Sequence, residues 1–517
     1  MQKLVRHAAP VLCALLAADT ILAQRGTDWM TSGYDPQRSS WVRSDGKISP
    51  QAMKKPGFEL LWKLKLADSP RQLNTITPPA LLDFYIGYRG FRTLAFFGVS
   101  TDKVVAVDAD LGRVEWEKNF GGGGAAGTLP CPGGMTSAVT RPTGLLYPTF
   151  FPARGAGRST PAKSGVGAPD AGAVTIKPES GIARRPAPAS KKGATIPDVY
   201  AARIQYVLAL TGDGKLHSLW VSNGNEPDPA VQFVPAGAHT EGLIAAGNNV
   251  YVATTNGCGG VDNGVWSLDL KSKSVNRWKA GGPVAGTFGF AVRPDGTVFV
   301  AAGNEVAALA PGTLKPVASY KVNGVEFTSS PVMFEFKGKD LIAVAANDGR
   351  LLLFDAAALA KGPLEMSEPS SSPKYEVGSL TTWYDPAGVR WVLAPTSNAL
   401  SAWKVVEKNG GIGWARGWTS TEMVSPLPPV VVDGVLFALS SGEFRTPDIT
   451  VSAAERARKS KPAVLYALDP LSGQSMWSSG SAITSFVHSG GLSAGGGRVY
   501  VGTYDGVQYA FGFPMEH

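Results

Sequence analysis

An internal repeat constrains this chain of 517 residues more than any other feature. Its kernel is an apolar strand, a small polar turn and a second strand that ends in an apolar pair, as in residues 499–510. The turn there is Asp-Gly, which favours a hairpin because type I′ turns need positive φ. Undisturbed copies of the turn follow one another at intervals of 41, 44 and 50 residues, at Asn263, Asn304, Asp348 and Asn398. Such intervals suit a four-stranded blade of a β-propeller and exceed those of most solenoids.

Eight copies of the kernel are present, and a short run of mostly small residues precedes each one, such as Thr-Ser-Ser at 328–330. Small side chains suit innermost strands, which crowd near the axis. Residues 60–64 look like an outer strand without a blade, whereas the last kernel, ending at Phe511, lacks an outer strand. Their pairing would close the ring and hide both sheet edges. The sequence therefore predicts an all-β, eight-bladed β-propeller of four-stranded antiparallel blades over residues 59–513, closed by an N-terminal outer strand.

Two kernels lead into a more specific motif, Ala-x-Asp-x-x-x-Gly-x-x-x-Trp. Its copies are Ala106, Asp108, Gly112 and Trp116, and Ala467, Asp469, Gly473 and Trp477. The glycine permits the hairpin into the outer strand, and the tryptophan is an apolar plate that can pack between blades. On these residues the chain resembles the pyrroloquinoline-quinone (PQQ) repeat propellers, whose tryptophan-docking motif has this spacing. Residues 28–36 also look like the opening of such proteins.

The N-terminus has the features of a secretory signal peptide over residues 1–23. Lys3 and Arg6 precede an apolar run at 8–18, and a cleavage site after Ala23 would leave residues 24–58 as an N-terminal extension. No apolar run reaches about 18 residues, so no transmembrane segment is predicted. A lipid anchor at Cys13 is disfavoured, because Leu12 stands where a small residue is needed. We expect a periplasmic or secreted protein.

Two cysteines, Cys131 and Cys258, would remain in the mature chain. In an oxidising compartment they suggest one disulfide, and two separate thiols are the alternative. No CxxCH motif is present, so no covalently bound haem is expected, and no Cys/His spacing suits zinc.

Most of the net charge of +8 lies in one segment, residues 151–197, which carries eight Lys or Arg against two Asp or Glu. Its richness in Pro, Ala and Gly predicts a disordered insertion in the second blade. Residues 442–462 form a shorter basic insertion in the seventh blade. The rest of the chain is nearly neutral, so no nucleic-acid groove is predicted. Both insertions are expected to be surface loops, with partner binding as the alternative.

The resemblance to the PQQ propellers places a candidate site at the mouth of the central channel. In the quinoprotein dehydrogenases PQQ stacks on a flat tryptophan beside a Ca²⁺ ion held by oxygen ligands. The strand starts that converge there supply candidates for cofactor binding, namely Arg71, His239, Glu241, Glu326, Trp383, Glu422 and His488. Glu241 and Glu422 are candidate cation ligands, either histidine could move protons, and Trp383 could stack. The alternative is that these are rim residues, solvated or paired with neighbours.

Two functions from different classes follow. One is a binding or assembly scaffold in the cell envelope with a protein or glycan partner, similar to the propeller lipoprotein of the outer-membrane barrel assembly machinery. The other is a PQQ-dependent dehydrogenase that oxidises an alcohol or polyol. The chain lacks the adjacent cysteines that such dehydrogenases often carry, and it lacks a haem motif. These departures favour the scaffold.

Overall fold

A computed structural model describes residues 28–67, 69–87, 90–121, 127–143, 206–369 and 376–514. Within these ranges eight small antiparallel sheets form the blades of a β-propeller, which confirms the predicted fold class. The predicted signal peptide at 1–23 and the predicted insertion at 151–197 lie outside the described residues. None of the described helices combines the length and apolar character needed to cross a lipid bilayer.

The first four blades run in chain order from the axis outwards, and blade two has three named strands. Blade one contains β3 (Ala80–Gly87), β4 (Gly90–Val99), β5 (Lys103–Asp108) and β6 (Arg113–Asn119). Blade two contains β7 (Tyr206–Leu210), β8 (Lys215–Trp220) and β9 (Val231–Gln232). Blade three contains β10 (His239–Ala246), β11 (Asn249–Thr255), β12 (Gly264–Asp269) and β13 (Val275–Lys279). Blade four contains β14 (Phe290–Val292), β15 (Val298–Ala302), β16 (Glu305–Leu309) and β17 (Pro316–Lys321).

The last four blades follow the same order, and two of them recruit a strand from the N-terminal region. Blade five contains β18 (Val332–Phe336), β19 (Lys339–Ala345), β20 (Leu351–Asp355) and β21 (Glu365–Met366). Blade six contains β22 (Thr381–Tyr384), β23 (Arg390–Pro395), β24 (Leu400–Lys408) and β25 (Gly411–Thr419). Blade seven contains β26 (Pro426–Val432), β27 (Val435–Ser440), β28 (Val464–Leu468), β29 (Ser475–Ser478) and, beside β26, β1 (Trp41–Val42). Blade eight contains β30 (Ser493–Gly495), β31 (Arg498–Gly502), β32 (Val507–Gly512) and β2 (Glu59–Lys65).

The hydrophobic core lies between neighbouring blades. One cluster, for example, joins Phe299 of blade four to Met333 and Ile342 of blade five. Inner strands such as β15 are buried at every residue, whereas the outer strand β17 alternates between exposed and half-buried positions. This burial explains why the inner strands have nearly continuous apolar sequences while the outer strands alternate.

Tryptophans of three outer strands dock on glycines of the next blade. Trp116 of β6 packs against Gly224 of blade two, and its indole Nε1 donates a hydrogen bond of 2.9 Å to the carbonyl oxygen of Val221. The same arrangement recurs at two other blade boundaries, with Trp62 on Gly112 and Trp418 on Gly473.

The aspartate of the motif shapes the turn on which the tryptophan docks. Asp108 Oδ1 accepts hydrogen bonds from the backbone amides of Asp110 and Leu111, at 3.0 and 3.2 Å. Gly112 follows with φ of +63°, a conformation that costs glycine little. Because glycine also lacks a Cβ, the indole of the preceding blade can lie directly on the backbone.

We predict that Gly112→Ala destabilises the protein by about 2 to 4 kcal/mol. This figure is the sum of the strain of positive φ at alanine and the cost of overpacking against Trp62. A Cβ at this position would lie 2.6 Å from Cγ of Trp62. Gly121→Ala is the matched control, because Gly121 has φ of +67° but open space around the added Cβ. It should cost about 1 kcal/mol. Denaturant unfolding measures both, and equal losses would rule out the docking contact as the cause.

The ring closes by pairing of β2 with β32 in antiparallel register, from Glu59 opposite Gly512 to Lys65 opposite Val507. Trp477, the tryptophan of the second motif, meets the closure rather than a glycine turn. Its ring lies 4.9 Å from that of Phe58, edge to face. An aromatic contact therefore covers the junction between the two ends of the propeller.

Residues 28–48 wind past one blade after another along the axis, and we call them the N-terminal belt. Its backbone oxygens accept hydrogen bonds from the innermost strands, as with Trp29 and Leu81 in blade one at 2.8 Å or Gln37 and Met333 in blade five at 2.9 Å. Every residue in 33–42 is buried. Residues 33–42, which belong to the extension predicted from sequence, are thus a part of the core.

Arg38 holds the belt to blades three and four. Its guanidinium is fully buried and donates to the carbonyl oxygens of Phe290 at 2.8 Å and of Gly242 at 2.7 Å. Burial lowers the pKa of Arg38 to about 9, opposed by the nearby carboxylate of Asp35. The hydrogen bonds of Arg38 to two blades offset the cost of burying its charge.

Blade two departs from the regular pattern. Where an innermost strand was expected near 135–137, Thr140 alone forms an antiparallel bridge with Leu208. Cys131 forms a disulfide with Cys258, which confirms the predicted bridge and joins the start of blade two to blade three. In blade seven the insertion at 442–462 contains helix α1 (Ala453–Lys459), whose first turn is capped by Ser452.

Candidate functional site

Two sets of loops lie at one end of the propeller, and we call this end the mouth. One set precedes the innermost strands and the other connects the second and third strands. Both sets lie at the same end because successive antiparallel strands reverse direction. At the mouth the Ser100 amide donates to the carbonyl oxygen of Thr75 at 2.9 Å. Thr75 Oγ1 in turn donates to the carbonyl oxygen of Tyr504 in blade eight at 2.5 Å. The disulfide lies among these loops.

A small polar cavity opens at the mouth on the axis. It has a volume of about 30 Å³, room for about two water molecules. Blades one to four, blade eight and the belt all contribute to its lining, through residues that include Ser32, Thr77, Thr136, Glu241, Thr287 and Ser489. Glu241 is the only aspartate, glutamate, histidine, lysine or arginine in the lining.

Glu241 is paired with a histidine from the same strand. Glu241 Oε1 lies 3.1 Å from His239 Nε2, and His239 Nδ1 lies 2.9 Å from the carbonyl oxygen of Pro130. Burial raises the pKa of Glu241, although the hydrogen bond and charge of His239 and the charge of His488 act against it. Burial acts to lower the pKa of His239. The hydrogen bond to Glu241, the charge of Glu241 and the hydrogen bond to the carbonyl oxygen of Pro130 together outweigh burial, so the pKa of His239 is raised. The pair is therefore suited to retaining a proton.

A second histidine–glutamate pair lies across blades seven and eight. Glu443 is 3% exposed and accepts hydrogen bonds from His488 Nδ1 at 2.6 Å and Arg445 Nε at 2.7 Å. Burial opposes ionisation of Glu443, but the charges of His488 and Arg445 lower its pKa to about 2. Arg445 also donates to the carbonyl oxygen of His488 at 3.1 Å, so the three side chains form one network.

The remaining candidates lie apart from this cavity. Arg71 is buried, packs on Gly134 and acts electrostatically on Asp102. Trp383 is buried in the apolar cluster of blades six and seven, against Trp41 of the belt. The two other carboxylates predicted at the rim are exposed, Glu326 and Glu422.

No protein-family model and no curated protein sequence matches the chain. Its structure is similar to a quinohemoprotein alcohol dehydrogenase from Comamonas testosteroni, at 13% identity over 96% of this chain and 82% of that one, with a TM-score of 0.58. A europium-containing methanol dehydrogenase matches at 11% identity over 96% and 100%, with a TM-score of 0.54. BamB from Moraxella catarrhalis matches at 15% identity over 89% and 99%, with a TM-score of 0.45.

The chain has the eight-bladed β-propeller fold that these dehydrogenase structures share. At these identities the likeness concerns the fold, so the fit of the cofactor has to be tested against the residues of this propeller.

The mouth of this propeller does not fit PQQ. Pockets for cofactors of that size enclose about 300 Å³ or more, roughly ten times the volume of the cavity here. PQQ carries three carboxylates, whereas the cavity presents the carboxyl of Glu241 and no arginine or lysine. Trp383 lies in the core, and Phe288 is the only aromatic residue in the lining. No group of three or more potential metal ligands occurs among the described residues.

Sequence reasoning missed Glu443, Arg445 and Asp102, which also lie in loops at the mouth. The candidates were drawn only from the starts of innermost strands. Loops between second and third strands end at the same face, and all three residues lie in such loops. A search of both loop sets would have included them.

We predict that Glu443→Gln destabilises the protein by about 3 kcal/mol at neutral pH. The folded-state pKa of about 2 lies below the ordinary value of 4.5, so the stabilisation exists above pH 4.5 and is lost as the pH falls towards 2. Unfolding free energies of both proteins across this range should converge in acid. Glu422→Gln, at an exposed position of the same face, should change stability by less than about 0.5 kcal/mol. A pH-independent gap for Glu443→Gln would contradict the assignment.

Proposed function

We propose that this protein is an exported binding or assembly propeller of the cell envelope, which docks a protein partner on blade one. Export is supported by the signal-like sequence at 1–23 and by the disulfide between Cys131 and Cys258, which suits an oxidising compartment. A periplasmic or secreted location is therefore the one that we propose. The poor fit of the mouth to PQQ favours binding over oxidation of an alcohol or polyol.

An exposed apolar patch on the β3–β4 hairpin carries the proposal. Phe84, Ile86 and Phe91 are 57%, 66% and 64% exposed. The rings of Phe84 and Phe91 lie 4.8 Å apart, so the three side chains form one surface, which we call the hairpin patch. Exposed aromatic groups held on a rigid element are typical of protein interfaces.

The hairpin patch is held outward by the structure beneath it. A bulge between Leu82 and Tyr85 interrupts the register, and Phe84 within it has φ of +61°. The extra residue turns the strand, so that Tyr85 packs on the cluster between blades one and two while Phe84 faces solvent. Because positive φ is costly for phenylalanine, an exposed Phe84 is better explained by binding than by folding.

Polar contacts on the opposite side make the hairpin rigid. The guanidinium of Arg92 lies 5.5 Å from the centre of the Tyr85 ring. Its Nη1 donates to Glu115 Oε1 at 2.8 Å and lies 3.7 Å from Asp108 Oδ2. A rigid surface loses little conformational entropy on binding, which favours affinity.

The proposal predicts a specific protein adduct at the hairpin patch. A photo-crosslinking residue at position 91 should capture one envelope protein in intact cells, identifiable by mass spectrometry. The same residue at position 317 is the control, because Val317 is 66% exposed on the outer strand β17 of blade four. Phe84→Ser with Phe91→Ser should weaken binding of the identified partner by about 10-fold to 100-fold, with little change in stability.

Two outcomes would contradict docking at this patch. One is the same set of adducts at positions 91 and 317. The other is full affinity of the double variant for the identified partner.

The dehydrogenase function is tested separately by reconstitution. We expect that the mature protein, incubated with PQQ and Ca²⁺, keeps no stoichiometric quinone absorbance after gel filtration, because the cavity is too small. Stoichiometric retention that is lost in Glu241→Ala would instead support a PQQ-dependent dehydrogenase.

A further inference from the structure

We infer that a second cavity, between blades five and six, binds a saccharide. This cavity has a volume of about 400 Å³, within the range of ligand pockets. It shares no lining residue with the cavity on the axis. It is also independent of the hairpin patch, so the inference goes beyond the proposed function.

An indole and a guanidinium form one wall of the cavity. Trp403 of β24 and Arg416 of β25 are directly opposite each other in the antiparallel register and both line the cavity. Directly opposite residues project from the same face of a sheet with their Cβ atoms about 5 Å apart. A bound ring would therefore meet an apolar plate and a hydrogen-bond donor side by side.

Trp403 is held in place without being used for docking between blades. Its Nε1 donates to Ser401 Oγ at 3.2 Å, and Ser401 Oγ donates to the carbonyl oxygen of Ala394 at 3.3 Å. Trp418 on the neighbouring strand forms the docking contact of blade six. The indole of Trp403 is half-buried against the cluster between blades five and six, so it is a rigid, accessible platform.

The polar groups of the cavity include both donors and acceptors. Arg416 is exposed and pairs with no carboxylate in the described part of the chain. Glu368, also exposed, lies on the wall contributed by blade five, and Ser397 and Asn398 lie in the β23–β24 turn. A carboxylate accepts, a guanidinium donates, and hydroxyl and amide groups do both.

A saccharide matches this chemistry better than a purely apolar or purely anionic ligand. Sugar rings have an apolar face of C–H groups that packs on an indole, and an edge of hydroxyls that both donate and accept. An anion alone would leave Trp403 unused and would be repelled by Glu368. An apolar ligand would leave the guanidinium and carboxylate to lose water without replacement bonds.

Calorimetric titration of the mature chain tests the inference. A glycan array is surveyed first, and the glycans that bind are then titrated. Maltose, N,N′-diacetylchitobiose and digalacturonate are titrated in every case. We expect at least one array glycan to bind with a Kd below about 1 mM. Trp403→Leu should weaken that binding by about tenfold or more, and Arg416→Gln by about fivefold or more.

Controls separate binding from folding. Arg113→Gln, at an exposed arginine on the outer strand of blade one, should leave the affinity unchanged. Arg416 is exposed, so Arg416→Gln should fold even if Trp403→Leu does not. Absence of binding to every glycan on the array, or equal affinity of wild type and Arg416→Gln, would overturn the inference. Neither result affects crosslinking at position 91, which tests the proposed function.

Discussion

The hydrogen bonds between the N-terminal belt and the innermost strands determine how the centre of the propeller is packed. A propeller leaves the inner edges of its blades facing the axis, where unpaired backbone groups would be costly. The belt satisfies several of them in succession, from Leu81 in blade one to Val431 in blade seven. Its buried Arg38 adds bonds to two blades at once. A belt in this position also occupies space that a ligand would otherwise fill.

The small volume of the axial cavity follows from the space that the belt occupies. Ser32 of the belt and Phe288 both line the axial cavity, which is left with space for water. At the mouth, Glu241 pairs with His239 and Glu443 pairs with His488. Such pairs stabilise loops and respond to pH, and the lining of the axial cavity contains no arginine or lysine that could bind an anionic cofactor. The surfaces that we propose for recognition lie on a hairpin and between two blades.

Sequence patterns predicted the fold better than the site, and particular residues explain the difference. The spacing of Asp108, Gly112 and Trp116 predicts one turn and one contact to the next blade. The turn is local in sequence, and the contact recurs at other blade boundaries, so both can be recognised from sequence. The candidate Trp383 is also an inner-strand residue, yet its side chain lies in a buried cluster that includes Trp41 from the belt. No repeat pattern contains that contact, because the belt occurs once in the chain. Glu443 was missed because it lies in a loop between the second and third strands of its blade, and its partner His488 is 45 residues away in another blade.

The sequence by itself determined the number of blades, the strand order within them and the docking motif, and it suggested a disulfide between Cys131 and Cys258 with two separate thiols as the alternative. These depend on the periodicity of apolar residues, on turn chemistry and on the cysteine count. Only the tertiary structure decided which side chains meet at the mouth, how much space remains there, and that Trp403 and Arg416 share a cavity. Such properties depend on side chains from distant blades and on close packing at the axis, where one additional segment changes the volume available. A repeat specifies each blade, whereas a site arises from the differences between blades.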